Sequence, residues 1–187
     1  RPAPVGCTWG EPWGTVWFRG KVEVPRTCKG KRVYYRHDSV AEKFLFVENK
    51  PFAGMNLWHK EVLLFPSARG GETAVLDIEA YASHPFPGVD GYEPHMRTIH
   101  SVNDARPASP PLRLEASELL AEREAVSALY YDGSVLFKTA MILDENSLRR
   151  AQILDQLNAA LDLVPIHWER EEELDLAVRA AHKLLQP

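Results

Sequence analysis

The sequence has little cysteine and no pattern that would give cysteine a chemical role. Its 187 residues include two cysteines, Cys7 and Cys28. They form no Cys-x-x-Cys pattern, so we expect two reduced thiols rather than a disulfide framework, a redox motif or a zinc site. This usage favours a reducing compartment, with the cytoplasm as the default.

The sequence also lacks long apolar runs and a strong excess of one charge. Charged residues make up 26% of the chain and hydrophobic residues 45%, with a net charge of -4. This balance gives no electrostatic reason to expect nucleic acid or a membrane surface as a partner, and the apolar runs are too short to span a bilayer. Because there is no initiator methionine and no secretory pattern in residues 1–6, we expect a piece of a longer protein.

Before Ser109 the chain consists of short alternating runs separated by turn residues. In the run from Glu11 to Pro25 a face of valine, phenylalanine and glycine alternates with a face that carries Trp17, which predicts a half-buried strand. Further strands are predicted at 32–38, 43–47, 61–65 and 73–81, with hairpin connections at 48–51 and 68–71. Several short strands at this spacing predict a β-sandwich.

The pattern changes after residue 81. Residues 81–111 are rich in proline and glycine and predict a long loop that is either functional or a linker. Leu112, Leu114 and Ala116 alternate with polar residues, so a final strand is predicted there before a helical period begins at about Glu118. The predicted domains are therefore a sandwich at 1–117 and a helical connector at 118–187.

Three helices are predicted in the second part. Apolar residues recur at helical spacing between Val126 and Ala140, between Leu148 and Leu161, and between Leu174 and Leu185. Residues 144–147 supply capping side chains for the second helix, and the acids at 169–173 favour the start of the third. We expect part of the apolar surface of these helices to be covered by a domain outside this chain.

Candidate metal ligands and catalytic acids are few. The long loop contains a cluster of three histidines, His84, His95 and His100, together with Asp90 and Glu93. Their types suit zinc but their spacing is irregular, so ordinary surface histidines are the alternative.

Asp77 and Glu79 fall on one face of a predicted strand. A glycosidase acid pair is one interpretation, and the polar face of a solvated sheet is the other. No nucleophile elbow, phosphate loop or dinucleotide fingerprint is present.

The aromatic residues offer a second kind of site. Trp58 and Tyr92 lie in predicted loops and can stack on the apolar face of a sugar ring. The candidate carbohydrate contacts are Trp58, His84 and Tyr92. The alternative is that the aromatic residues belong to core or interdomain packing, with Trp17 packed on the helices or on a missing neighbour.

Several segments, in order, resemble one family. They are the strand that begins Trp13-Gly-Thr-Val-Trp-Phe-Arg, the hairpin from Phe46 to Met55, the segment Ala125-Val-Ser-Ala-Leu-Tyr-Tyr-Asp and the helical segment from Asp144 to Val164. This series resembles the N-terminal region of the zinc-dependent α-mannosidases of glycoside hydrolase family 38. The resemblance implies a mainly β fold with α, a jelly-roll (galactose-binding-like) β-sandwich followed by a C-terminal helical segment.

The resemblance also implies what this chain does not carry. The zinc site of the family is marked by a His-x-Asp motif in the catalytic barrel, and no His-x-Asp occurs here. It therefore implies no catalytic residue and no metal ligand in this chain, and zinc in the missing domain of a retaining α-mannosidase. The implied partners are the chain's own catalytic domain, a mannose-containing oligosaccharide for the parent enzyme, and further subunits of a homo-oligomer.

Three roles remain open at this point. The first is a non-catalytic module that packs on the catalytic domain and shapes its cleft or an oligomer interface. The second is an independent carbohydrate-binding module, and the third is an enzyme that uses the loop histidines.

Overall fold

The computed structural model describes residues 1–10, 14–39, 41–82 and 112–186. Its elements run in the order β1 (Thr8–Trp9), β2 (Gly14–Glu23), β3 (Val33–Asp38), β4 (Glu42–Val47), β5 (Lys50–Met55), β6 (Glu61–Phe65), β7 (Thr73–Ala82), β8 (Leu112–Arg113), β9 (Ala116–Ala121), α1 (Glu124–Ile142), α2 (Leu148–Asp162) and α3 (Glu171–Leu185). The chain divides into two compact units, Arg1–Ala121 and Glu122–Pro187. No helix in the described ranges is long and apolar enough to cross a membrane.

The first unit is a sandwich of two antiparallel sheets. A four-stranded sheet has the order β2-β7-β4-β5 and a three-stranded sheet the order β6-β3-β9, while β1 and β8 form a separate pair. One cluster joins the inner faces of the two larger sheets, because Leu45, Leu76 and Ile78 pack with Tyr35 and Leu64. Burial of these side chains is the main stabilising contribution to the unit.

The alternation predicted for the first strand is confirmed. Along β2 the residues Val16, Phe18 and Val22 are half-buried, whereas Trp17 and Arg19 are exposed. The strand pairs with β7 over its whole length, from Gly14 opposite Ala82 to Glu23 opposite Thr73. A side-chain period of two therefore assigns each residue of β2 to the core or to the outer face.

The connection between β4 and β5 is tighter than predicted. Glu48 and Asn49 both have positive φ, 51° and 60°, as a two-residue type I′ hairpin turn requires. Lys50 and Pro51 already belong to β5, where Pro51 is opposite Phe46. β5 is an edge strand of its sheet. An edge strand tolerates proline because a backbone N–H that points away from the sheet has no partner there, so its absence costs no hydrogen bond.

The helical period predicted from Glu118 is wrong for residues 118–123. Residues 116–121 form β9, in which Leu119 is opposite Tyr35 and Ala121 opposite Val33, and α1 begins only at Glu124. The leucines and glutamate of this segment have good helix propensity, but pairing with β3 and burial against the core override it. The strand predicted around Leu112 to Ala116 is divided, because β8 pairs with β1 and β9 with β3.

The second unit contains the three predicted helices, which contact one another. Its core is formed by Ala140 of α1 with Ile153 and Leu157 of α2, and Leu174, Val178 and Ala181 of α3 are also buried. Ser147 occupies the N-cap of α2 as predicted, but its side chain makes no capping hydrogen bond. Instead, Asp144 accepts a hydrogen bond from the backbone N–H of Asn146 at 2.8 Å and closes the preceding turn.

We expect Gly70→Ala to destabilise the sandwich. Gly70 has φ +80°, and a Cβ built there would lie 3.0 Å from the Arg26 Cα, so both the backbone conformation and the close approach select glycine. The expected loss is about 1–3 kcal/mol of unfolding free energy, measured by urea titration. Gly71→Ala is the matched control, because φ is +91° but nothing lies within 4 Å. An equal loss in both variants would show that contact with Arg26 contributes nothing.

Candidate functional site

Trp58 lies in the loop between β5 and β6 and is 63% exposed. The Asn56 Oδ1 accepts hydrogen bonds from the backbone N–H groups of Trp58 and His59, each at 2.9 Å, and the Asn56 N–H donates to the His59 carbonyl at 3.1 Å. These bonds form a side-chain turn that holds the loop and presents the indole on the surface. The other two candidate sugar contacts, His84 and Tyr92, lie outside the described residues, as do His95, His100, Asp90 and Glu93.

Asp77 and Glu79 share the outer face of the four-stranded sheet, as predicted, but Asp77 is not solvated. It is opposite Arg19, whose Nε and Nη2 donate to the two carboxylate oxygens at 2.5 and 3.1 Å. The Asp77 side chain is 7% exposed, whereas that of Arg19 is 70% exposed. The hydrogen bond and charge of Asp77 raise the pKa of Arg19. Because both oxygens of Asp77 are engaged, this strand face does not offer a pair of free carboxylates.

An aromatic cluster adjoins the Arg19–Asp77 pair on the same face. Trp17 of β2 reaches across β7 to Phe46 of β4, with 5.5 Å between the ring centroids, and Phe44 lies 5.2 Å from Phe46. Trp17 and Phe44 are 55% and 39% exposed. The sequence reasoning placed Trp17 outside the core but did not connect it with these phenylalanines. The available signal was the i, i+2 spacing of Phe44 and Phe46, which places both on one strand face.

The interior of the sandwich is polar at one end. His37 is 1% exposed, and its Nδ1 is 3.2 Å from the Tyr35 hydroxyl, which also contacts Ser117 Oγ at 2.9 Å. Burial, together with the charge of Lys43, lowers the pKa of His37 to about 4, while Asp38 opposes this effect. A tyrosine, a serine and a histidine are thus joined by hydrogen bonds. Tyr35 and His37 are buried whereas Ser117 is exposed, so the histidine and the tyrosine act as structural polar packing of the core.

Lys43 is the second buried titratable group at this end. It is 5% exposed on the inner face of β4, and its Nζ donates to the Ala41 carbonyl at 2.7 Å. Burial lowers the pKa of Lys43 to about 8, although the charges of Asp38 and Glu42 oppose the shift. Taking an ammonium group out of water without a directly bound carboxylate is costly, so this position is unusual for lysine.

The outer face of the three-stranded sheet holds an ionic network. Asp38 accepts a hydrogen bond from Lys60 at 2.7 Å and lies 3.5 Å from the Arg36 guanidinium. Arg36 also approaches Glu61 at 3.9 Å and Glu118 at 3.6 Å. These acids are neutralised by arginine and lysine, and the described residues contain no group of three or more histidines, cysteines or acids that could hold a metal ion.

The second unit presents a large apolar surface on α1. Six of its side chains are 47–85% exposed and form what we call the α1 outer face: Tyr130, Tyr131, Val135, Phe137, Met141 and Ile142. At 100° per residue they occupy one broad stripe of the helix, opposite Ala140, which is buried against α2. A hydrogen bond of 2.7 Å between Asp132 Oδ2 and His182 Nε2 of α3 lies at one margin of this stripe.

Stability should fall as the pH drops below about 6.5, in part because of His37. Its pKa of about 4 in the folded chain is below the usual value, so the unfolded chain binds the proton first between pH 6.5 and 4. The stabilisation present above pH 6.5 is lost over this range, at most on the order of 3 kcal/mol. Urea unfolding at several pH values should show a smaller acid loss in His37→Gln than in the parent. The exposed His59→Gln is the control, and parallel pH curves for all three proteins would contradict the assignment.

Comparison with known proteins extends these observations. The sequence model of the family described as "Alpha-mannosidase, jelly roll domain" matches residues 1–107, more than half of the chain. Human Alpha-mannosidase 2C1 is 24% identical over 163 residues, and mouse Alpha-mannosidase 2C1 is 24% identical over 162; each match covers 87% of this chain. The chain spans only 15% of the length of these curated relatives.

Among solved structures, a beta-glucuronidase from Faecalibacterium prausnitzii is 27% identical over 37% of this chain and 12% of its own, with a TM-score of 0.31, too low to bear on the fold. The family is shown by the match to residues 1–107. By that match, in agreement with the two-sheet sandwich, the chain belongs to the α-mannosidase jelly-roll domain family.

Proposed function

We propose that the chain is a non-catalytic N-terminal module of an α-mannosidase, whose parent hydrolyses terminal α-mannosyl linkages in oligosaccharides. Membership of the jelly-roll family and the small share of the curated relatives that the chain spans support this proposal. The module packs on the catalytic part of the enzyme and shapes the approach to its cleft or the interface between subunits.

The observation that carries the proposal is the α1 outer face. Monomeric soluble proteins rarely expose a contiguous apolar patch above a few hundred Å², and six large side chains at these exposures amount to roughly that limit or more. The opposite side of α1 is also apolar where it meets α2 and α3, so the helix has apolar residues all round. A helix of this composition is typical of the interior of a larger protein.

The occupant of this face is the remainder of the α-mannosidase polypeptide. Val135, Met141 and Ile142 are aliphatic and present no ring for sugar stacking, which favours a protein surface. Lys138 is the one charged residue within the stripe, and depletion of charge is characteristic of the core of an interface.

Zinc and the chemical step belong to that remainder in this proposal. The described residues do not fit a zinc site, because they bring no set of three histidines, cysteines or acids together. We accordingly assign no catalytic step to this chain. The two free thiols, Cys7 and Cys28, suit a cytoplasmic enzyme, and association into a homo-oligomer is part of the proposal.

A second candidate function is independent carbohydrate binding. It is favoured by Trp58, because a well-anchored turn holds an indole that is 63% exposed. The exposed ring of Trp17 beside Glu79 is a further surface of suitable chemistry, since sugar sites combine a ring with planar polar groups.

The packing proposal predicts that the α1 outer face is covered in the polypeptide that the complete gene encodes. That polypeptide should carry a His-x-Asp motif downstream. Hydroxyl-radical footprinting should label Tyr130 and Tyr131 at least several-fold less in it than in the isolated chain, while the exposed Leu176 of α3 serves as an internal reference. Equal labelling of the two tyrosines in both proteins, or a stop codon directly after Pro187, would refute the packing role.

The two candidate functions differ in saturation-transfer NMR of the isolated chain with methyl α-mannoside and an α-linked mannobiose. The packing role predicts no transfer to either sugar. Transfer that disappears in Trp58→Ala but persists in Trp17→Ala would instead establish a sugar site on the loop, and the reverse pattern would place it on the outer face of the sheet. Hydrolysis of the mannobiose would contradict both roles.

A further inference from the structure

The outer edge of β2 is an open hydrogen-bonding surface in the part of the chain that the structure describes. β2 ends the four-stranded sheet and pairs there with β7 alone. Just beyond β2, the N–H of Val24 donates to the Glu72 carbonyl at 2.9 Å, and the Val24 carbonyl accepts from the Gly71 N–H at 2.7 Å. Both backbone groups of Val24 therefore point toward the β7 side.

Alternation along the strand fixes the direction of the other backbone groups. Successive residues of an antiparallel strand point their N–H and C=O alternately toward and away from the partner strand. The even-numbered residues of β2 therefore face β7, as Val24 does, and the odd-numbered residues face away. Lys21 agrees with this assignment, because both backbone groups of the opposite residue, Val75, bond to Glu48 instead. Five residues direct an N–H and a C=O away from the sheet: Thr15, Trp17, Arg19, Lys21 and Glu23.

The other edges of the two larger sheets are shorter or interrupted. β5 contains Pro51 and its register against β4 is shifted. β6 has five residues and a register shift against β3, and β9 has six residues. β2 has ten residues, no proline and a continuous register. A long and regular open edge is a template for pairing with a strand of another chain.

The outer face of β2 is complementary to a second copy of itself. In a two-fold antiparallel pair centred on Arg19, Trp17 of each copy lies opposite Lys21 of the other, which places a cation beside an aromatic ring. Thr15 lies opposite Glu23 in the same way, so a hydroxyl donor is next to a carboxylate. Each of these pairs occurs twice in the dimer.

The inner face is complementary in the same register. Val16 lies opposite Val22, a pair of β-branched side chains. Phe18 lies opposite Gly20, where an added Cβ would meet nothing within 4 Å. An aromatic ring opposite such an edge glycine covers the backbone that the glycine leaves exposed.

The two arginines that meet on the axis carry their own counter-charge. Arg19 donates to both carboxylate oxygens of Asp77 in its own chain, at 2.5 and 3.1 Å, so the repulsion between the two guanidinium groups is offset. Centring the pair on Gly20 would instead place Arg19 opposite Lys21, two cations of which the lysine has no such partner among the described residues.

We propose that β2 pairs antiparallel with β2 of a second copy of this chain, with Arg19 on the two-fold axis. The two four-stranded sheets then form one continuous sheet across the dimer. This inference rests on the homo-oligomer named in the proposed function and assigns its subunit contact.

The first test is self-association of the 187-residue chain. Sedimentation velocity at concentrations of about 1 μM to 1 mM should show a monomer–dimer equilibrium. Lys21→Pro should raise the Kd of the dimer about tenfold or more, because by symmetry it removes two hydrogen bonds between the copies and none to β7. Lys21→Arg keeps the amide and the charge and should associate as the parent does. A parent that stays monomeric, or a dimer that Lys21→Pro leaves unchanged, would overturn the proposal.

Hydrogen exchange of the parent chain decides the question even where Lys21→Pro fails to fold. Above the Kd, the amides of the odd-numbered residues of β2 should exchange several-fold more slowly than in dilute solution. The amides of the even-numbered residues bond to β7 in monomer and dimer alike, so they serve as the internal reference. Slow exchange of the odd-numbered amides at every concentration would show that the chain covers this edge itself, and would reject the second copy as its partner.

The register has its own measurement. Within one strand, Val16 and Val22 are about 20 Å apart, too far for a nuclear Overhauser effect between their methyl groups. Such an effect in the dimer can come only from pairing about Arg19, and its absence would refute this register. Footprinting of Tyr130 and Tyr131 tests the packing role separately, so failure of the dimer is distinguishable from failure of the proposed function.

Discussion

The sandwich depends on β7, which lies between β2 and β4 in the four-stranded sheet. It pairs with β2 over all ten of its residues, and its inner face contributes Leu76 and Ile78 to the main core. Its outer face is also partly closed, because Asp77 is buried beneath Arg19 beside the aromatic cluster. A strand enclosed on both faces fixes the register of its neighbours, since a slip of one residue would bury Glu79 and expose Ile78.

The alanines of β7 explain why the two ends of the core differ. Leu76 and Ile78 belong to the main core cluster, whereas Ala80 and Ala82 belong to a second cluster with Trp9 of β1. Two buried ionisable residues lie at this second cluster, because Lys43 is opposite Ala80 and His37 contacts the Phe18 ring. The interior thus contains the ionisable side chains of Lys43 and His37 at the end where β7 carries Ala80 and Ala82. The pairing of each of these two side chains with its neighbours influences stability at this end.

The sequence predicted features that depend on local periodicity and missed those that depend on pairing partners. The inner face of β2 and the three helices follow from periods of two and 3.6, so they could be read directly. The strand at 116–121 could not be predicted from periodicity, because Leu119 and Ala121 are extended only through their pairing with β3. The burial of Asp77 and Lys43 could not be predicted from the sequence either. Burial of Asp77 depends on Arg19, which is 58 residues away, and burial of Lys43 depends on packing around Ala80.

The two exposed apolar surfaces differ in composition, and that difference bears on what covers them. The outer face of the sheet combines Trp17 with Glu79 and the Arg19–Asp77 pair, so rings and hydrogen-bonding groups lie together. The α1 outer face is mostly aliphatic and aromatic carbon, with little hydrogen-bonding capacity except at its tyrosine hydroxyls. Sugar recognition needs directional polar contacts, whereas protein packing gains most of its free energy from buried carbon. The composition of the α1 outer face therefore suits packing against protein, and that of the sheet face suits a polar ligand.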